Sequence, residues 1–96
     1  MPKPPPGFEW DDRKAASNLK KHGVSFAVVK GFDFETARMT EDLRVDYGEE
    51  RLFALGRIGR TLHALVFTPR EEKRRIISLR KATAQERAAY YAAGGR

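Results

Sequence analysis

Two kinds of chemistry suit the side chains of this chain: proton transfer and the binding of an anion. His22 is the candidate for proton transfer, because imidazole titrates near neutral pH without help from its surroundings. Its neighbour Lys21 either contacts a phosphate or is simply solvated. His22 also has a structural interpretation, since a cation at the end of a helix complements the helix dipole. Residue type and spacing leave both interpretations of His22 open.

The anion-binding candidates are concentrated in residues 74–81, a stretch with an apolar middle and cationic ends. Alternation along a regular strand places Arg74, Ser78 and Arg80 on one face and Arg75 on the other. Arg80 is the strongest candidate, because the Ser78 hydroxyl would lie beside its guanidinium. Arg75 would serve the same site only if a β-bulge interrupts the strand.

Arg51 is a further candidate, because the planar fork of a guanidinium suits the oxygens of a phosphate. The alternative for each of these arginines is an ion pair with Glu49, Glu50 or Asp46. Glu50 is either a general base or the partner that holds an arginine. Tyr90 either stacks on a base or donates a hydrogen bond, or it faces the core of the protein.

The composition describes a small globular domain. The chain has 96 residues, 41% of them hydrophobic, and it contains neither a long apolar run nor a signal peptide. With two histidines and no cysteine, it is expected to bind no structural zinc, and we predict neither a metal nor a cofactor. The absence of cysteine also fits a reducing compartment, and we predict a cytoplasmic location.

Charge is distributed unevenly along the chain. Residues 51–96 carry 11 basic and 3 acidic side chains, whereas residues 1–50 carry 8 basic and 10 acidic ones. A basic cluster of this kind is typical of a protein that binds nucleic acid. The same charge would also suit an acidic protein partner.

The amino-terminal half predicts a short strand and two helices. Residues 1–7 form a Pro-rich leader, which we expect to be disordered, and residues 8–93 form one domain. Residues 8–10 predict a strand, and Asp11 or Asp12 would cap a helix over residues 13–22. Gly23 would end that helix in the left-handed conformation, and Ser25 would start the next one.

The rest of the chain predicts strands and a last helix. An edge strand is expected over residues 37–40, and a turn at Tyr47-Gly48. Strands over residues 51–55, 61–68 and 73–81 would form an antiparallel meander, with residues 56–60 as a hairpin connection. A capping box at Thr83–Glu86 starts the last helix. The expected fold class is α+β, a small antiparallel sheet with helices packed on one face and the other face partly open.

The order and separation of these features resemble the BrnT family. The resemblance runs from about residue 8 to residue 90. In the amino-terminal half the matching residues are Trp10, Asp11, Lys14, Asn18, Lys21, His22, Gly23, Val24 and Phe26. In the remainder they are Glu50, Arg51, Gly56, Arg75, Ile76, Ile77, Ser78, Arg80, Lys81, Ala82, Glu86, Arg87 and Tyr90.

The resemblance implies a type II toxin: a ribonuclease with a RelE-like fold that arrests growth. It implies neutralisation by a BrnA-like ribbon-helix-helix antitoxin in an oligomeric complex, which reaches operator DNA only through the antitoxin. Metal-independent cleavage would use His22, Arg51, Arg80 and Glu50 as catalytic residues, and Lys21, Arg75, Ser78 and Tyr90 to bind RNA. The alternative is a basic module that binds nucleic acid or an antitoxin without catalysis.

Overall fold

Two helices, one 3-10 helix and five strands make up the part of the chain that the computed structural model describes, residues 3–43 and 48–95. In chain order they are β1 (Phe8–Glu9), α1 (Asp12–His22), the 3-10 helix (Phe26–Gly31), β2 (Arg38–Glu41), β3 (Leu52–Ile58), β4 (Thr61–Arg70), β5 (Lys73–Lys81) and α2 (Ala84–Ala92). The turn expected at Tyr47 lies outside the described residues. None of the described helices is long and apolar enough to cross a membrane.

The strands form one mixed sheet in the order β1-β5-β4-β3-β2. The β2-β3-β4-β5 meander is antiparallel, and β2 is an edge strand as predicted. β1 pairs parallel to β5, with Phe8 opposite Arg74 and Glu9 opposite Arg75. The prediction of a purely antiparallel sheet is therefore wrong. β1 and β5 are separated in the chain by most of the domain. A parallel pair is therefore possible, because no hairpin forces these two strands to be antiparallel.

One face of the sheet carries the main core and is covered by α1 and the 3-10 helix. We call it the α1 face; its buried strand residues include Leu65, Ile76 and Leu79, each 0% exposed. Trp10 and Phe26 close the core from outside the sheet with ring centroids 5.6 Å apart. The full set of buried main-core residues is Trp10, Ala15, Val24, Phe26, Val29, Phe32, Ala54, Leu65, Phe67, Ile76 and Leu79.

The opposite face carries a second, smaller apolar cluster. Tyr90 of α2 packs there with Leu62 and Ala82, and Leu55 lies against them. Leu55 and Leu62 alternate along their strands with residues of the main core, so α2 lies on the other side of the sheet, which we call the α2 face. The prediction that the helices pack on one face is therefore wrong. β5 ends at Lys81, and the capping box at Thr83 starts α2 at Ala84.

Gly23 and Gly56 have different structural roles. Gly23 adopts φ 71° after α1, and its N–H bonds to the Leu19 carbonyl, as a helix end requires. Gly56, expected in a loop, lies inside β3, which continues to Ile58; the predicted connection over residues 56–60 is therefore too long. A Cβ at Gly56 would approach the Phe32 ring to 2.5 Å. Gly56 thus permits close packing of Phe32 on the strand rather than a turn.

Candidate active site

A β-bulge in β5 decides which of its side chains lie together. Phe67 pairs with Ile76, but the preceding residue, Val66, pairs with Ser78, so Ile77 is an extra residue. As a result Ile76 and Leu79, three positions apart, both point into the main core and are fully buried. Side chains after the bulge therefore lie on the opposite face from the one that regular alternation predicts.

The bulge places Arg75, Ser78 and Arg80 together on the α2 face. Arg75 pairs with Thr68, Ser78 with Val66 and Arg80 with Ala64, and these β4 residues alternate with those of the main core. The prediction that Arg74 shares a face with Ser78 and Arg80 is wrong. Arg74 lies on the α1 face, with its guanidinium carbon 4.0 Å from the centroid of the Phe34 ring.

The carboxyl end of α1 is held against the free edge of β5 by Asn18. The Asn18 side-chain nitrogen, Nδ2, donates to the carbonyl oxygens of Leu79, at 2.6 Å, and of Val24, at 3.0 Å. Its Oδ1 accepts from the Leu79 N–H at 3.1 Å. β1 pairs only with Arg74 and Arg75, so Asn18 takes the place of a neighbouring strand at Leu79. Asn18 is among the residues that resemble the family, but this role was not predicted from the sequence.

Because Asn18 fixes the helix end, Lys21 and His22 come to lie beside Ser78. These side chains share a shallow groove of about 180 Å³ between α1 and β5. Its lining is Lys14, Ser17, Asn18, Lys21, His22, Ile77 and Ser78. Three of the predicted site residues thus come together, and two cationic lysines line the same groove.

Arg80 acts on this groove through its charge. The pKa of His22 lies below its ordinary value of 6.5, mainly because partial burial disfavours the charged imidazole, and also because Lys21 and Arg80 repel it. A lowered pKa leaves more of the imidazole neutral near pH 7. A neutral imidazole can accept a proton, whereas it adds no cation to the helix end.

Removing the Lys21 charge should raise the pKa of His22 towards 6.5. We expect Lys21→Gln to do so, because one of the two repelling cations is lost. Lys20→Gln is the matched control: it removes the same charge one residue earlier, from a position outside the groove lining. NMR titration of the two histidines measures the effect, with His63→Gln to assign the signals. If Lys21→Gln and Lys20→Gln raise the pKa of His22 equally, the shift does not come from the Lys21 charge in the groove.

Arg80 itself is held by a glutamate that the sequence analysis did not consider as its partner. Nη1 and Nη2 of Arg80 donate to Oε1 and Oε2 of Glu86 at 2.7 and 3.0 Å. Glu86 also accepts from the Thr83 N–H at 2.8 Å, completing the predicted capping box. These bonds lower the pKa of Glu86 to about 2, with the Arg80 hydrogen bond as the largest cause. Glu86 therefore orients the Arg80 guanidinium and anchors it to α2.

Replacing Glu86 by glutamine should destabilise the protein by about 1–3 kcal/mol at neutral pH. Glutamine can still cap Thr83, so the change isolates the ion pair. The pKa is depressed from 4.5 to about 2, so the ion-pair stabilisation is fully present above pH 4.5 and is lost as the pH falls towards 2.

Urea denaturation at about pH 7 and pH 3 measures this effect. The difference in unfolding free energy between wild type and Glu86→Gln should be smaller at the lower pH. Glu72→Gln, at an exposed hairpin position, is the matched control and should be nearly neutral. A stability difference that does not depend on pH would contradict its assignment to the Arg80–Glu86 ion pair.

The other predicted site residues lie outside the groove. Arg75 pairs with Glu9 at 2.8 Å. Arg51 directly precedes β3, two strands away from β5, and Glu50 before it is exposed. Tyr90 is 1% exposed and its hydroxyl donates to the Thr36 carbonyl at 2.9 Å.

These placements change two predictions. The burial of Tyr90 favours the core role that the sequence left open, rather than contact with RNA. Of the three glutamate or aspartate partners expected for the arginines, Glu49 binds Arg70 at 3.2 Å instead. Asp46 lies outside the described residues. For Arg75 and Arg80 the described partners are the sequence-distant Glu9 and the nearby Glu86.

The fold and the groove define a small, basic α+β domain in which a titrating imidazole lies among cations. The family model for the ribonuclease toxin BrnT of type II toxin–antitoxin systems matches residues 10–86. The chain belongs to this family. Membership implies a ribonuclease toxin with an RNA target and a protein antitoxin as its partner. No curated protein matches the chain.

Proposed function

We propose that this protein is an endoribonuclease toxin that cleaves RNA in the groove between α1 and β5. The observation that carries the proposal is the meeting of Lys21 and His22 with Ser78 in one groove, within reach of the Arg80 charge. Cleavage of RNA through its own 2′-hydroxyl needs a base for that hydroxyl and cations for the developing phosphorane. The groove contains both kinds of group.

The residues support the following division of roles. Neutral His22 takes the proton of the 2′-hydroxyl as its oxygen forms a bond to phosphorus. Lys21 and Arg80 stabilise the charge that builds up on the phosphoryl oxygens, and Ser78 hydrogen bonds to one of them. The bond from phosphorus to the 5′-oxygen then breaks, and that oxygen takes a proton from solvent. The products are a 2′,3′-cyclic phosphate and a 5′-hydroxyl.

Arg51, Arg75 and Glu50 have other roles in this proposal. Arg75 lies on the same face as Ser78 and Arg80, so it is suited to binding the RNA chain next to the groove. Arg51 directly precedes β3, two strand spacings or about 10 Å from β5, so it is better placed to bind the RNA chain than the phosphate at Ser78. Glu50 is more suited to holding a cation than to acting as the base.

Incubation of purified protein with single-stranded RNA in EDTA tests this function. We expect cleavage to continue without divalent ions and to leave cyclic-phosphate ends, because cationic side chains supply the electrostatic stabilisation. RNA that is bound but left intact would support the second candidate, a basic module without catalysis. That candidate needs cations alone and no titrating group, so it predicts RNA binding that survives the loss of His22.

The remaining expectations follow from the family resemblance and belong to the same proposal. The partner would be a BrnA-like ribbon-helix-helix antitoxin, forming an oligomeric complex that contacts operator DNA only through the antitoxin. The toxin would act in the cytoplasm as one RelE-like domain over residues 8–93. Expression with and without the neighbouring antitoxin gene, scored for growth and RNA integrity, tests these expectations together.

A further inference from the structure

One row of side chains crosses the α2 face of the sheet without carrying a charge. Thr40 pairs with Phe53, Phe53 with Val66, and Val66 with Ser78. Residues that are paired across strands project on the same face, so these four form a continuous line from β2 to β5. We call this line the central row. It ends at Ser78, which also lines the groove that holds His22.

Arginines border the central row on both sides. Along one side, Arg38 pairs with Leu55, Leu55 with Ala64, and Ala64 with Arg80. Along the other side, Thr68 pairs with Arg75, and Arg51 directly precedes the first paired residue of β3. The central row is therefore an uncharged strip between arginines at its four corners, Arg38, Arg51, Arg75 and Arg80.

Phe53 is the aromatic side chain of this strip. It is half-buried, whereas Ala54, the next residue along β3, is fully buried in the main core. Among the described residues, the side chains assigned to the main core and to the second cluster do not include Phe53. A partly exposed ring on a flat sheet between cations is the combination that binds single-stranded nucleic acid: the cations follow the backbone and the ring stacks on a base.

We propose that Phe53 stacks on a base of the RNA next to the cleaved phosphate. The proposal rests on the function proposed above. Ser78 and Phe53 are two strands apart, about 10 Å, so the groove and the ring would contact neighbouring nucleotides rather than one. The chain would thus bind the phosphate at β5 and the adjoining base at β3, with RNA lying across the sheet.

The ion pairs on the strip explain why the aromatic ring should matter more than any one arginine. Glu9 offsets the charge of Arg75, and Glu86 that of Arg80. The bordering arginines therefore orient the RNA backbone, while stacking on Phe53 supplies affinity that tolerates different bases. Phe53 is accordingly a substrate-positioning residue, and its loss should weaken binding of RNA more than it slows the chemical step.

Binding of an uncleavable 2′-O-methyl oligoadenylate measures the stacking directly. We expect Phe53→Leu to weaken its binding about 10-fold, within the range that one base–aromatic stack supplies, and Phe53→Tyr to retain the wild-type affinity. In cleavage assays Phe53→Leu should raise KM and leave kcat nearly unchanged. Phe8→Leu is the matched control, since Phe8 is also half-buried but packs against the main core; it should bind like wild type.

An oligonucleotide with one abasic position, moved along the chain, separates stacking from a general loss of structure. At the position that contacts Phe53, wild type should lose about as much affinity as Phe53→Leu does with the intact oligonucleotide. Phe53→Leu should bind the oligonucleotide that is abasic at this position no more weakly than it binds the intact one. If the affinity losses from Phe53→Leu and from the abasic position add at every position tested, the inference is overturned.

Two other results distinguish this inference from the function on which it rests. Wild-type protein that neither binds nor cleaves RNA would overturn the proposed function. Cleavage by Phe53→Leu with unchanged KM and unchanged oligonucleotide affinity would overturn the inference alone. The same holds if Phe53→Leu weakens binding of the antitoxin but not of RNA, because the strip would then be a surface for a protein.

Discussion

Replacing His22 by alanine should lower kcat for RNA cleavage by about 10²–10⁴-fold, the range for loss of a general base. His22 is exposed at the last position of α1, so the variant should fold normally. RNA affinity should remain close to that of wild type, because the cations that bind the phosphates are unchanged. Single-turnover cleavage and oligonucleotide binding, measured on the same preparations, separate the two effects.

The pH dependence of cleavage gives an independent test of the same role. A base must be neutral to accept a proton, so the rate should rise with pH and level off above the pKa of His22, whose direction of shift places it below 6.5. Lys21→Gln should move the midpoint of that rise to higher pH, since it removes a repelling charge. A midpoint that does not respond to Lys21 would assign the titrating group elsewhere.

His63 is the matched control for His22. It lies on β4, 6% exposed, with Nδ1 2.8 Å from the Thr61 carbonyl oxygen, and it does not line the groove. His63→Gln should therefore cleave RNA at nearly the wild-type rate per folded molecule. Equal losses in both histidine variants would show that the loss reflects structure rather than proton transfer. Arg80→Ala complements this comparison, because it should lower kcat by removing phosphorane stabilisation without removing the base.

Features set by a few neighbouring residues were predictable from the sequence. The Asp11 cap involves only the first turn of α1, where the Asp11 carboxylate accepts hydrogen bonds from the N–H groups of Arg13 and Lys14. Gly23 ends the same helix, and the capping box at Thr83 starts α2. Each depends on contacts within about four residues, so the residue types alone are sufficient to place it.

The bulge at Ile77 was not predictable in the same way, although its consequence was foreseen. Regular alternation is the only information that an isolated strand contains, and it placed Arg75 behind Ser78 and Arg80. The bulge instead follows from the simultaneous packing of Ile76 and Leu79 in the main core, against strands that are distant in sequence. Long-range register therefore decides which arginines share a face.

The partner of Arg80 shows a different limit. Glu86 was correctly assigned to the capping box but was not among the predicted partners of Arg80. One carboxylate performs both roles, since Oε1 accepts from the Thr83 N–H and from Arg80 Nη1. An oxygen has two lone pairs, so a satisfied cap does not exclude a second bond. Only the relative position of β5 and α2 reveals it.

Replacing Asn18 by leucine should cost about 3–5 kcal/mol of unfolding free energy, a large part of the stability of a small domain. Leucine has a similar volume but cannot hydrogen bond. The N–H and the carbonyl of Leu79 would lose their partner, as would the carbonyl of Val24, in a site where Asn18 is 6% exposed. Urea denaturation measures the change, and Ser17→Ala, at an exposed position on the same helix, should alter stability by less than about 0.5 kcal/mol.

Asn18→Asp distinguishes the hydrogen bonds from the packing. Aspartate retains an acceptor for the Leu79 N–H but turns a carboxylate towards the carbonyl oxygens of Leu79 and Val24, so it should destabilise the protein at least as much as leucine does. Lowering the pH should then partly restore stability, because a protonated carboxyl can donate one of the lost bonds. An Asn18→Leu variant as stable as wild type would contradict the proposed bridge to β5.

The bridge also links stability to the chemistry of the groove. Asn18 holds the end of α1 against β5, and this contact brings His22 close enough to Arg80 for the two charges to interact. In folded Asn18→Leu protein, a detached helix end should let the pKa of His22 rise towards 6.5, which NMR titration detects. Loss of stability with an unchanged His22 pKa would mean that the carboxyl end of α1 keeps its position without the Asn18 hydrogen bonds. Asn18 would then stabilise the fold without positioning the base.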